Sequence, residues 1–156
     1  MPLLSERDRD YLIQRFEQDL ENEVTLSLFR QRASALFLPG QPAPTQTHSF
    51  AEQTRQILEE LVALSPKLHL EVHDVAQEKE LAQRYKIERS PTTLLLNGNT
   101  DGRIRFVGIP SGYEFATLIA DIVDVSKGTN GLSEETRAAL AEVTTPVHIQ
   151  VFVTPT

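Results

Sequence analysis

Glu80–Leu96 reads ELAQRYKIERSPTTLLL, and the fold turns on its second half. Pro91 has no N–H to give a ladder, so the first residue of a strand is one of the few places in a sheet where it costs nothing. The β-branched and apolar run Thr92–Leu96 that follows predicts that strand. Asn97-Gly98 is a strong turn signal, which makes Arg103–Val107 the antiparallel return. Beyond it, Gly112–Val125 (GYEFATLIADIVDV) predicts a long apolar helix, closed by Lys127-Gly128 at its C-terminus. The two glycines in the connecting GIPSGYEF lack the spacing of a phosphate loop. That segment reads as a helix start with Phe115 turned to the core.

Upstream, Gln77–Tyr85 predicts a short helix, and Leu68, Leu70 and Val72 alternate as in a strand that terminates at Asp74. Ser49–Leu64 predicts a helix burying Ile57, Leu58, Leu61 and Val62. Val24–Phe29 predicts a further strand. Ser5–Leu20 predicts an amphipathic helix with Ser5 and Asp8 paired at its cap. Gln31–Thr47, with LPGQPAPT, carries too much proline for a regular element and predicts a loop. Downstream, Ser133–Val143 and Val147–Val153 repeat the opening order of helix then strand. This predicts a first unit over residues 1–128 and the start of a second, truncated, over 129–156.

The composition fits one ordinary core: 156 residues, 40% hydrophobic, with net charge −7. An acidic surface repels phosphate backbones and anionic lipid, so neither nucleic acid nor membrane is an expected partner. No apolar run approaches the roughly 20 residues that span a bilayer, and the charged N-terminus lacks a signal-like stretch. The expectation is a soluble, cytoplasmic protein. There is no cysteine.

The order helix-β-α-β-α-β-β-α, with a proline-led hairpin and a covering helix, is that of a thioredoxin-like α/β fold: a mixed central sheet flanked by helices. The strings ELAQRYKIERSPTTLLL, RFVGIPSGYEFATLIADIVDVS and VHIQVFVTPT resemble the N-terminal unit of the glutaredoxin-like protein disulfide oxidoreductases, which are tandem thioredoxin folds. The N-terminal domain of the flavin-dependent alkyl hydroperoxide reductase subunit is similar, and its first unit also lacks cysteines. The resemblance implies that His48, Ser49, Phe50 and Ala51 occupy the position of a degenerate CxxC, with Gln31–Thr47 as an insertion before it. It also implies that Ser90-Pro91 is the family's cis-proline, beside which an extended peptide can lie by strand addition. In the family, a CPYC motif follows VFVTPT.

Dithiol–disulfide exchange needs a thiolate as both attacking and leaving group. The residues of this chain therefore cannot perform it, whatever the family does. Three readings follow. The first is a redox-inactive module that supports or docks against a CxxC-bearing thioredoxin-fold unit in cell redox homeostasis. The second is the front part of an active oxidoreductase with its CPYC beyond Thr156. The third is a peptide-binding adaptor using Ser90 and Pro91.

Other candidates have plainer readings. His48 and Ser49 could pair as base and hydroxyl, but Ser49 as an N-cap with Glu52 three residues on explains the pattern. His69, Glu71 and His73 share one strand face, as metal ligands can, but a solvated or helix-covered strand face explains them. No cofactor or metal is expected. The alternation in Val147–Val153 predicts a strand whose free edges require pairing: with its own sheet, with a second copy as a homo-oligomer contact, or with a separate C-terminal half.

Overall fold

The structure is a computed structural model and describes residues 3–31, 46–98 and 102–152. The element order is α1 (Glu6–Asp19), β1 (Val24–Arg30), α2 (Gln46–Val62), β2 (Leu68–Asp74), α3 (Lys79–Arg84), β3 (Thr92–Leu96), β4 (Arg105–Val107), α4 (Tyr113–Lys127) and α5 (Glu134–Ala141). Up to α4 this is the order expected. The proline-rich part of the predicted loop, residues 32–45, lies outside the described residues.

One mixed sheet runs β2-β1-β3-β4. β1 pairs in parallel with β2, as a helical crossover through α2 requires, and antiparallel with β3. Its central place explains its sequence. Val24, Leu26 and Leu28 point to one face and join Leu58 and Leu61 of α2, Phe16 of α1 and Leu118 and Ile122 of α4 in the main core. Phe29 points to the other face and packs with Leu94 of β3 and Ala82 of α3. Helices thus cover both faces. Each fully buried Leu or Phe side chain contributes about 1.5–3 kcal/mol relative to exposure.

The helix ends follow local chemistry. Ser5 Oγ accepts from the Asp8 N–H at 3.2 Å and donates to its carboxylate at 2.6 Å. Gly112 caps the start of α4 at φ 61°, and Gly128 its end at φ 66°, conformations that a Cβ would strain. Phe115 is partly buried against the main core, as expected.

Two expectations fail. α2 begins at Gln46, three residues before Ser49, so Ser49 sits inside its first turn and is not the cap. The predicted strand Val147–Val153 does not form over the described residues 147–152. Those residues carry no strand and are exposed, so the anticipated pairing with the chain's own sheet is absent. Apolar alternation alone cannot make a strand, because the backbone hydrogen bonds need a neighbour. α5 does form, with Ser133 Oγ accepting from the Thr136 N–H at 3.1 Å. It buries no residue.

Candidate functional site

The strand registers bring the end of β1, the start of β3 and the end of β4 together, since Phe29 lies opposite Thr92 and Thr92 opposite Val107. The first turns of α2 and α4 meet this same end of the sheet. The Ser90–Pro91 peptide bond is cis. Around it, the Gln31 N–H donates to Ser90 Oγ at 2.9 Å. Thr92 Oγ1 donates to the Arg89 carbonyl at 2.7 Å, and the Gly108 N–H donates to the Pro91 carbonyl at 2.9 Å. The proline loop is therefore held by the residues that follow β1 and β4, and Thr92 closes it locally.

α2 reaches this loop through Thr54, which is fully buried. Its hydroxyl lies 2.8 Å from the Phe50 carbonyl and 3.4 Å from the Gly108 carbonyl. Of the four residues at the candidate CxxC position, Ala51 is 2% exposed and faces the core, whereas Phe50 is 43% exposed. The side chains of His48 and Ser49 lie outside the described part. Val107, at the end of β4, is 47% exposed, and Tyr113, at the start of α4, is 84% exposed.

Charge at the rim comes from a pairing that sequence reasoning missed. Glu52, read as a capping partner of Ser49, instead accepts from Arg30 at 2.9 Å and from Arg55, which also reaches Glu59. The Arg55 hydrogen bond, working against burial, leads in holding the Glu52 carboxyl below its ordinary range, and the charges of Arg55 and Arg30 assist. Arg30 ends β1, and only the fold brings it to Glu52. Tyr113 had a signal in the sequence: it shares the face of α4 carrying Ala116, Thr117 and Ala120, opposite the buried Leu118 and Ile122.

The three residues His69, Glu71 and His73 do share a strand face, where Glu71 lies beside His73, and carboxylates from elsewhere, Glu23 and Glu78, engage the two histidines. His69 Nε2 lies 3.5 Å from Glu23. His73 Nε2 lies 3.5 Å from Glu71, and its Nδ1 2.7 Å from Glu78. The ring stacks on Phe29 with centroids 4.9 Å apart. The hydrogen bond to His73 is the main cause holding the Glu78 carboxyl below its usual range, with the Asp74 N–H second. Asp74 closes the strand by accepting from the Ala76 N–H at 2.9 Å. This cluster pins α3 against the sheet.

No family model matches the chain. A protein disulfide oxidoreductase from Aeropyrum pernix K1 superposes with a TM-score of 0.69 at 24% identity, covering 89% of this chain and 55% of that one. The alkyl hydroperoxide reductase AhpF from Enterococcus faecalis gives 0.69 at 24% identity, covering 89% and 60%. A structure of the N-terminal domain of that reductase gives 0.68 at 25%, covering 86% and 58%. In sequence, the AhpF protein of Xanthomonas campestris pv. phaseoli is 35% identical over 69 residues, 44% of this chain and 11% of that protein. The chain thus spans a little over half of the solved chains and about a tenth of the curated relative. Its fold is thioredoxin-like, and it is similar to protein disulfide oxidoreductase and to the N-terminal domain of AhpF. No helix among the described residues is long and apolar enough to cross a membrane.

Proposed function

We propose that this chain is a redox-inactive thioredoxin-fold module, the structural or docking half of a protein disulfide oxidoreductase system, whose partner is a CxxC-bearing thioredoxin-fold unit. One observation carries the reading. A proline loop held by Gln31 and Gly108 lies at the same end of the sheet as the first turn of α2, yet the chain has no cysteine to place there. His48, Ser49, Phe50 and Ala51 stand where the cysteines would be. Without a thiolate neither half of an exchange reaction proceeds. What this end can still offer is exposed apolar side chains near the starts of α2 and α4, Phe50 and Tyr113, with the Arg30–Glu52 pair joining β1 to α2. Residues 1–128 as one unit, 129–156 as the opening of another, and a cytoplasmic location belong to the same reading.

Titration calorimetry against a purified CxxC-bearing thioredoxin-fold unit of a protein disulfide oxidoreductase tests it. The expected result is one-to-one binding, weakened about tenfold or more by Tyr113→Asp as befits a central aromatic contact. Absence of binding heat counts against docking. In an insulin-reduction assay, the chain with dithiothreitol should match the reagent alone, and faster turnover would overturn the redox-inactive part. A peptide-binding adaptor is the second reading, in which an extended peptide lies beside the partly exposed Ser90 that precedes the buried Pro91. It expects binding of extended apolar peptides with no CxxC-bearing protein present.

A further inference from the structure

We propose that Asn130 is a self-modifying residue: the backbone nitrogen of Gly131 closes on its side-chain amide, releasing ammonia and leaving aspartate or isoaspartate at the junction of α4 and α5. The chain holds two Asn-Gly pairs, Asn97-Gly98 and Asn130-Gly131. Glycine at the second position has no Cβ to obstruct the attack or restrict the backbone. Both glycines sit at positive φ, 75° and 64°, and a Cβ on either would meet nothing within 4 Å. The backbone permits the reaction equally at both, so the asparagine side chain decides between them.

Asn97 is held. Its Nδ2 donates to the Val125 carbonyl near the end of α4 at 2.7 Å, and the residue is partly buried. Turning its Cγ toward the Gly98 nitrogen breaks that bond. Asn130 is placed differently. Behind it, the Gly128 and Thr129 N–H groups close α4 on the Val125 and Asp124 carbonyls, and ahead of it Ser133 caps α5. Asn130 is exposed, and neither its Nδ2 nor the Gly131 N–H has a partner among the described residues. Its Oδ1 accepts from the Leu132 N–H at 3.2 Å. That donor sits on the oxygen that gains negative charge when the nitrogen adds, as a donor in an oxyanion hole does.

The chemistry balances with water alone. The Gly131 nitrogen loses its proton to solvent base as the N–Cγ bond forms. The Cγ–Nδ2 bond then breaks, and Nδ2 leaves as ammonia with a proton from water. A second water opens the cyclic imide at either carbonyl. One opening leaves aspartate and an added negative charge; the other leaves isoaspartate, whose main chain is one carbon longer between α4 and α5. Nothing is oxidised or reduced. The inference is independent of the docking reading, since neither Phe50 nor Tyr113 enters it.

Trypsin cuts after Lys127 and Arg137 and after Arg89 and Arg103, which puts each Asn-Gly pair in its own peptide. The folded full chain is incubated at mildly alkaline pH and both peptides are followed by mass spectrometry. Fragmentation separates Asn97 from Asn99, and chromatography resolves the isoaspartate form. Asn130 should convert roughly tenfold faster than Asn97, the factor that about 1.4 kcal/mol of barrier gives. The rate should rise with pH, and Gly131→Ala should slow it. In concentrated urea, where the bond to Val125 is gone, the two sites should convert at similar rates. An unmodified Asn130, an Asn97 that converts as fast in the folded chain, or a ratio that persists in urea overturns the proposal.

Discussion

Ser126→Ala is the most informative single perturbation of the scaffold. Ser126 is fully buried near the end of α4, and its hydroxyl serves three backbone groups of the α1–β1 connection. Oγ accepts from the N–H groups of Glu21 and Asn22, both at 2.9 Å, and donates to the Asn22 carbonyl at 2.6 Å. Truncation leaves two donors and one acceptor without partners. An orphaned buried group costs about 1–3 kcal/mol. Glu21 and Asn22 are exposed residues, however, so water takes over part of the loss. The net expectation is about 2 kcal/mol, or a Tm lower by roughly 4–8 °C for a chain of this size. Urea unfolding followed by far-UV circular dichroism measures it, the chain having no tryptophan to report by fluorescence. Asn22→Ala, which removes only the Nδ2 bond to the Ser126 carbonyl, should cost about 1 kcal/mol or less. A Ser126→Ala loss below about 0.5 kcal/mol, the range of ordinary surface changes, would refute the argument.

Three other outcomes follow from the same reasoning. Glu60 accepts from the N–H groups of Leu3 and Leu4 at 2.8–3.0 Å; burial works to raise its pKa, but these bonds outweigh it and hold the carboxyl low. Its stabilising contribution is therefore present above the ordinary carboxylate range and fades as pH falls through the lowered folded value, so the deficit of Glu60→Gln in urea melts should shrink between pH 7 and about pH 3. Asp121 is pushed the other way, by burial first and the neighbouring Asp124 second; its penalty applies above the raised folded value and vanishes below the unfolded one. Asp121→Asn should thus stabilise by roughly 0.2–0.5 kcal/mol at pH 7 and by nothing at pH 3. Thr93 is fully buried and its hydroxyl finds no hydrogen-bond partner among the described residues, so Thr93→Val should raise the urea midpoint, by about 1 kcal/mol in stability.

The elements of the first unit were legible because each carries its own periodicity. β1 reads as a strand from Val24, Leu26 and Leu28, and α4 as a helix from Leu118, Ile119 and Ile122. Helix starts were less legible: α2 extends three residues ahead of Ser49, and Glu52 serves Arg30 and Arg55 instead of the cap. A capping pattern describes four neighbouring residues only, whereas Arg30 arrives from a strand more than twenty positions earlier. Residues 147–152 mark the sharper failure, because a strand is a property of two segments and the pattern speaks for one.

Read alone, the chain of residues determined two things here: the sequence of helices and strands, and the impossibility of thiol chemistry without a sulfur nucleophile. Both are local facts, one of hydrophobic period and one of elemental composition. Tertiary structure decided what stands beside what: Ser90 against Gln31, Thr54 between Phe50 and Gly108, and Ser126 beneath the α1–β1 connection. Most of those contacts join residues scores of positions apart, and only the closing of the core around β1 brings them within hydrogen-bonding reach.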